Sequence, residues 1–320
     1  MTSSERRHLR NGLLFASPWL IGLSAFVLYP IGASAYFSFC DYSTLQPPVW
    51  IGLDNYRELL ADDVLYKSLY NTLFFAGLSL PLSLLVSLAL AILLNTGVRG
   101  LPIFRTLFYL PALVPIVASA MLWLWIFNGQ YGILNYFLQP VLDVVSATAN
   151  HLIAFAGGEP AVRLVAPTWL ASPTWAKPAL VLMSLWGVGG SMVIYLAGIQ
   201  DVPTELYEAA EIDGAGWWRR IWHVTLPRIS PVIYFNLIIG IIAVLQTFTT
   251  VYIMTGGPDG GTHGHPLRST LFYALYLYQQ AFEFLRMGYA SAMAWILFLV
   301  IAGLTILAHK TAGRLVTYSE

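Results

Sequence analysis

Six stretches of this 320-residue chain contain no Asp, Glu, Lys or Arg: residues 11–40, 68–98, 106–142, 178–200, 229–258 and 287–309. An α-helix needs about 20 apolar residues to cross the hydrocarbon core of a bilayer. No other charge-free stretch of the chain reaches that length. Composition agrees: only 10% of the residues are charged and 58% are hydrophobic, where soluble domains carry about 25% charged residues. The expectation is an all-α membrane protein of one domain, 1–320, with six transmembrane helices over 12–38, 69–94, 104–128, 178–197, 231–254 and 288–308.

Prolines and polar residues refine that outline. Pro30 lies inside the first span, where a kink is tolerable if neighbours cover the freed carbonyl. Asn95-Thr96-Gly97 closes the second span, and Pro111 and Pro115, four residues apart, predict a bend in the third. After span one, Pro47-Pro48 predicts a turn and WIGLDNYRELL a short amphipathic helix. The loop over 129–177 is long, and its apolar stretch 144–156 is too short to span and includes Asn150 and His151. It predicts an interfacial or re-entrant helix, because a seventh span would move the following loop to the other side of the membrane. The apolar run at 11–40 exceeds the roughly 7–15 residues of a signal-peptide core, so it is expected to be an uncleaved span despite the small residues Ala33-Ser34-Ala35.

Lys and Arg set the orientation, since positively charged short loops stay cytoplasmic. Arg6, Arg7, Arg10, Arg99, Arg105, Arg219, Arg220, Arg228, Lys310 and Arg314 fall on one side, ten of the sixteen basic residues. Both termini and the loop over 198–230 are therefore expected in the cytoplasm, and the loops over 41–67, 129–177 and 255–286 outside.

The spans also exclude chemistry. None holds an Asp, Glu, Lys or Arg, so neither the intramembrane ionic site of an ion-coupled carrier nor the paired groups of an intramembrane hydrolase is present. Zero net charge and basic clusters no longer than a pair argue against nucleic-acid binding. The single Cys40 has no internal disulfide partner, and His263-Gly264-His265, with Asp259 as the only nearby acid, is better explained as a solvated loop than as a metal site. No catalytic residue, metal ligand or cofactor site is expected.

A pore without an ionic site must take its energy elsewhere, and the cytoplasmic loop 198–230 is the candidate. Pro203 and Thr204 start a helix, Glu205, Glu208 and Asp213 face solvent, and Leu206, Ala209, Ala210 and Ile212 can meet an apolar surface. Gly214 permits the left-handed backbone that ends the helix. A second helix follows from Trp217, which Leu226-Pro227 is expected to stop before span five.

Glu208-Ala209-Ala210, three residues, Gly214, nine residues, then Val224-Thr225-Leu226-Pro227 resembles the EAA motif of permease subunits of binding-protein-dependent ABC importers, with Val224 where Ile is usual. The string ELYEAAEIDGAG is similar to the carbohydrate-uptake branch, the maltose and glycerol-3-phosphate type of type I importer. Trp50-Ile51-Gly52-Leu53-Asp54-Asn55-Tyr56 resembles the FxGLxNY segment after the first span of one of the paired permeases, and Met254-Thr255-Gly256-Gly257-Pro258 and Arg286–Ala292 match the same branch. The resemblance covers about residues 10–310 except about 141–168.

It implies the type I permease fold in a bacterial cytoplasmic membrane. It also implies a homologous second permease, an ABC ATPase dimer and an extracytoplasmic solute-binding protein as partners. Glu208, Ala209, Ala210, Asp213, Gly214, Leu226 and Pro227 would form the ATPase-coupling site, with Glu208 pairing with a basic residue of the ATPase. ATP hydrolysis belongs to that partner, since this chain has no GxxxxGK[ST] sequence.

At about 100° per residue, Asn236, Gly240, Ala243, Thr247 and Thr250 share one face of span five, with Gln246 at its edge. Ser184, Ser191 and Tyr195 align on span four beside Trp186 and Gly187. Small and hydroxylated residues also serve helix packing in membranes. Hydroxyls, amides and aromatic rings are equally what a neutral sugar or polyol needs, and Trp186, Gln246, Thr247 and Thr250 are the expected substrate path. Two alternatives stand beside this reading: the same importer type for a non-carbohydrate solute, and an ion-coupled secondary transporter.

Overall fold

The computed structural model describes residues 3–96, 100–159, 161–256 and 263–312. Helix α1 (Ser3–Leu23) continues through a π-helical turn (Ser24–Leu28) into α2 (Tyr29–Phe37). Strands β1 (Cys40–Ser43) and β2 (Gln46–Trp50) and helix α3 (Asp54–Leu60) precede the long α4 (Asp63–Leu94). Next come α5 (Leu101–Leu113), α6 (Ile116–Ile126), α7 (Ile133–Phe155), α8 (Ala176–Trp186) and α9 (Gly189–Gln200). The polar loop holds α10 (Thr204–Ile212), α11 (Trp217–Arg220), a second π turn (Ile221–Thr225) and α12 (Leu226–Arg228). The remainder is α13 (Ser230–Leu245), α14 (Thr249–Met254), α15 (Tyr273–Tyr278), a third π turn (Gln279–Glu283) and α16 (Met287–Ala312).

Three helices are long and apolar enough to cross a membrane unaided: Arg6–Phe37, Asp63–Leu94 and Met287–Thr311. The other three spans are built from shorter helices: α5 and α6 meet at 98°, α8 and α9 at 46°, and α13 is bent by 66° from the preceding Trp217–Arg228 of the polar loop. The first bend follows from Pro115, whose ring drives the preceding residue out of the helical region, and Val114 accordingly sits at φ −73°, ψ 130°. Span five, expected unbroken over 231–254, instead breaks after Leu245 and resumes at Thr249, with Phe248 at φ −127°, ψ −63°.

Pro30 and Pro227 share another device. Each follows a π turn in which an N–H reaches back five residues, Tyr29 to the Ser24 carbonyl and Leu226 to the Ile221 carbonyl. Proline cannot donate and its ring clashes with the carbonyl four residues back. The extra residue of a π turn moves that carbonyl aside, so Leu226-Pro227 does not stop its helix as expected. The helix runs on to Arg228 and bends at Ile229.

The contacts divide the chain into two compact units. The first takes in the chain to Asp63 and Leu277–Val300. Its hairpin corrects the expected turn at Pro47-Pro48: both prolines lie in β2, which is exposed throughout, and exposed edge strands tolerate their missing N–H. The turn falls at Thr44-Leu45. Gly52, at φ +66°, leads into α3. There the buried Asn55 amide donates to the carbonyls of Ser38 (3.0 Å) and Cys40 (2.9 Å), and Tyr56 donates to Ser38 Oγ (2.8 Å). Arg286 pairs with Glu58, and Tyr289 donates to Asp62 (2.6 Å). The WIGLDNY segment is thus a backbone clamp at the end of span one.

The second unit takes in Val64–Tyr276 and the chain from Ile301 onward. At one end Lys67 donates to the Leu267 carbonyl (2.9 Å), Asn71 to those of Arg268 (2.9 Å) and Leu271 (3.1 Å), and the Tyr273 N–H donates to Thr72 Oγ1 (2.8 Å). Within the unit, Gly189 lets α9 meet α5 backbone to backbone, since a Cβ there would sit 2.2 Å from the Phe108 carbonyl oxygen. The short apolar stretch expected at 144–156 is the second half of a 23-residue helix, α7.

Asn55→Ala removes the donor to two carbonyls. It is expected to cost about 1–3 kcal/mol and to lower the midpoint of thermal unfolding in detergent by several degrees. An unchanged midpoint would mean that the clamp is dispensable.

Candidate coupling loop and translocation cavity

Helix α10 ends as its sequence dictates. The Gly214 N–H donates to the Glu211 carbonyl (3.0 Å) and the Ala215 N–H to the Ala210 carbonyl (2.8 Å), with Gly214 at φ +75°. This is the Schellman arrangement, which satisfies the last helical carbonyls through one left-handed residue. A Cβ on Gly214 would meet nothing within 4 Å, so glycine is needed there for its backbone angle and not for space.

Two cross-braces hold the knob together: the Glu211–Arg220 ion pair, and Tyr207 Oη to Thr225 Oγ1 at 3.0 Å. Its inner side is anchored. Leu206, Tyr207, Val224 and Leu226 pack on a buried cluster that includes Ala91 and Leu94 of α4 and Met192, Tyr195, Leu196 and Ile199 of α9. The knob is therefore packed directly on spans two and four.

The outer side is open. Glu208, Ala209 and Asp213 are exposed, and Ile212, expected on an apolar surface with Ala209, is 87% exposed. Trp217, Trp218 and Trp222 are exposed beside them. Neither Glu208 nor Asp213 forms an ion pair among the described residues. Apolar side chains ringed by unpaired carboxylates are the makings of a docking face for a partner that carries cations.

The second feature is a cavity of about 650 Å³. All four residues expected on the substrate path line it: Trp186, Gln246, Thr247 and Thr250. Asn236, Gly240 and Ala243 from the same face of α13 join them, as do Ser184 and Ser191. Tyr195 does not. It is fully buried in the cluster beneath the coupling loop, because α9 below Ser191 packs against the end of α4.

Helix breaks border the cavity on three sides, at Val114–Ile116, Gly187 and Gln246–Phe248. Helix ends carry backbone groups without intrahelical partners, and in a membrane such groups are tolerated where they line a polar cavity. Ser184 donates to the Val181 carbonyl (2.6 Å) and Asn236 to that of Val232 (2.9 Å), which leaves their oxygens free to accept. The Gln246 amide forms no hydrogen bond within the described residues, and the buried Ser79 hydroxyl at the wall has no partner there either. No lining residue is ionisable.

Sequence reasoning missed Ser79, Ser83 and Ser119 as lining residues. Ser79 and Ser83 flank Pro81 in span two, a local polarity that could have marked that face. Ser119 shows no such signal. Of the residues outside the spans, His263 stacks on Tyr252 at 4.1 Å, and no group of three His, Cys, Asp or Glu among the described residues is placed to hold a metal. Arg99, Gly257, Pro258, Asp259 and Arg314 lie outside the described residues.

Six spans, several broken around an uncharged cavity, and a rigid polar knob with an open face define the membrane subunit of a transporter. Residues 79–315 match the family described as binding-protein-dependent transport system inner membrane component, and the chain belongs to that family. The probable ABC transporter permease protein YesP of Bacillus subtilis (strain 168) is 38% identical over 319 residues, 99% of this chain and 95% of that protein. The sulfoquinovosyl glycerol transport system permease protein SmoG of Agrobacterium fabrum (strain C58) is 32% identical over 89% of this chain and 85% of its own length. Among solved structures, a bacterial ABC transporter involved in the import of the acidic polysaccharide alginate superposes with a TM-score of 0.77 at 24% identity, covering 99% of this chain and 100% of that one. The fold is that of a type I permease, and the chain is a multi-pass, non-catalytic permease subunit of a binding-protein-dependent importer.

Gly214→Ala forces a Cβ into a left-handed backbone at a cost of about 1–2 kcal/mol. Hydrogen exchange at the Gly214 and Ala215 amides should then quicken roughly 5- to 30-fold. Gly214→Asn should do much less, because Asn tolerates that region; equal effects of Ala and Asn would contradict the backbone account.

Proposed function

We propose that this chain lines one half of the translocation path of an ATP-driven importer for a neutral sugar or polyol derivative. The observation that carries the reading is the cavity. Trp186 offers a ring face for C–H stacking, Gln246, Thr247, Thr250 and the serines offer hydrogen bonds, and no lining residue is ionisable. The name of a further relative, the lactose transport system permease protein LacF of Rhizobium radiobacter, 33% identical over 97% of this chain, supports a neutral sugar cargo.

The loop over 198–230 is the energy input in this reading. Glu208 pairs with a cation of an ABC ATPase, Ala209 and Ala210 allow close approach, and Gly214, Asp213, Leu226 and Pro227 set the shape of the knob. An ATPase dimer closing on ATP moves the knob, and the anchored spans two and four move with it. A homologous second permease completes the path, and a solute-binding protein delivers cargo to the outer loops. Ten basic residues support cytoplasmic termini in the inner membrane of a bacterium.

Reconstitution with the second permease, ATPase and binding protein tests each part. Glu208→Lys should leave an inserted protein whose ATP-dependent uptake falls about tenfold or more. Gln246→Ala and Trp186→Ala should each raise the half-saturating cargo concentration about fivefold while ATPase association stays intact. Normal uptake by Glu208→Lys would overturn the docking role. Preference for a charged or non-carbohydrate solute would overturn the cargo, and uptake abolished by dissipating ion gradients but untouched by loss of the ATPase would mean an ion-coupled carrier.

A further inference from the structure

Helix α7 and the extended segment after it form a device with no part in the reading above. The segment over 161–167 lies along the polar face of α7, bound by side chains that stand where a neighbouring strand would be. The Asn150 amide donates to the Val162 carbonyl and its Oδ1 accepts the Val162 N–H, both at 2.9 Å. Ser146 Oγ accepts the Leu164 N–H (2.9 Å), and Gln139 Oε1 accepts the Ala166 N–H (2.8 Å). Asn135 donates to the Pro167 carbonyl (3.2 Å) and accepts from the Trp169 indole (2.8 Å). Asp143 accepts from Gln139 (2.8 Å). The polar groups of that face are thus consumed internally, a condition that water does not demand and a bilayer does.

The opposite face is largely apolar. Ile133, Phe137, Val141, Val144, Leu152 and Phe155 fall on it at helical spacing, all exposed, Phe155 to 94%. The exposed Thr148 lies among them with its hydroxyl donating to the Val144 carbonyl (2.9 Å), and the exposed His151 stands at the edge. Asp143 is the one Asp, Glu, Lys or Arg on the helix. Helix α7 starts seven residues after Ile126, the end of α6, where Met121, Leu122 and Trp125 are exposed as well. The joint between them is rigid. Asn128 Oδ1 accepts the N–H groups of Gln130 and Tyr131 (2.9 Å each), Asn135 donates to the Gly129 carbonyl (3.0 Å), and a Cβ on Gly132 would lie 2.3 Å from the Asn128 carbonyl oxygen. The start of α7 is therefore fixed relative to the end of α6.

We infer that α7 lies in the bilayer interface with this face among the lipid acyl chains, and that the 161–167 strap seals its polar side. An amphipathic helix lying in the interface buries its apolar face at the boundary of headgroups and acyl chains. The occupant is lipid, not a protein partner: the exposed face is made almost wholly of aliphatic and aromatic side chains, the Thr148 hydroxyl is spent on the Val144 carbonyl, and His151 at the edge is its one titratable group near neutral pH.

The test uses the assembled importer in phosphatidylcholine–phosphatidylglycerol vesicles. In a Cys40→Ala background, single cysteines replacing Phe137, Val144, Phe155, Asp143 or Glu159 carry a nitroxide, and collision with oxygen is compared with collision with a water-soluble nickel chelate. Labels at 137, 144 and 155 are expected to show an oxygen-to-nickel ratio at least about threefold above those at 143 and 159. Quenching of Phe155→Trp by brominated lipid, compared with Glu159→Trp, decides the same question should a label disturb the helix. Nickel access at 137, 144 and 155 equal to that at 143 and 159 overturns the inference. So does shielding from both reagents that appears only when the solute-binding protein is added.

Discussion

A helix interrupted inside a bilayer must find partners for the backbone groups it frees, since lipid offers none. That constraint organises this protein. Spans three, four and five are interrupted at Val114-Pro115, Gly187-Val188 and Gln246–Phe248, and all three interruptions border one cavity. At Pro30, on the exposed first span, and at Pro227 a π turn absorbs the break and the helix continues. Breaks in spans three, four and five are therefore used as lining, and the spans that carry them form the walls of one uncharged cavity.

The same economy explains the coupling loop. Its left-handed Gly214 closes the last turn of α10, its cross-braces tie α10 to the following helix, and Leu206, Tyr207, Val224 and Leu226 key it into the buried cluster under spans two and four. What remains unsatisfied is the outer face, with exposed Ile212 and tryptophans beside Glu208 and Asp213. A rigid element that is complete on one side and open on the other transmits motion. A flexible one would dissipate it in local rearrangement.

Much of this was legible in the chain because the relevant physics is local. The absence of charge marks the spans, the three-four spacing of Asn236, Gly240 and Ala243 marks one face of α13, and a glycine separated by three residues from an EAA run marks a helix end. Errors arose where non-local packing decides. Pro227 was expected to end a helix, and the π turn before it accommodates the ring. Pro47-Pro48 was expected to turn the chain, and the hairpin instead places both on an exposed strand. Tyr195 aligns in the sequence with Ser184 and Ser191, and the packing of α9 on the end of α4 buries it while both serines line the cavity.

By itself the sequence determined the charge-free spans, the helix end at the left-handed Gly214 in the polar loop over 198–230, and the polar residues of span four and α13. Each depends on hydropathy or backbone preference within a few turns of helix. Only the tertiary structure decided that Trp186, Gln246, Thr247 and Thr250 share one cavity with Ser79 and Ser119, and that residues 161–167 seal the polar side of α7. Those facts depend on bend angles and on hydrogen bonds between segments far apart in the chain, set by how whole helices pack and carried by no local pattern.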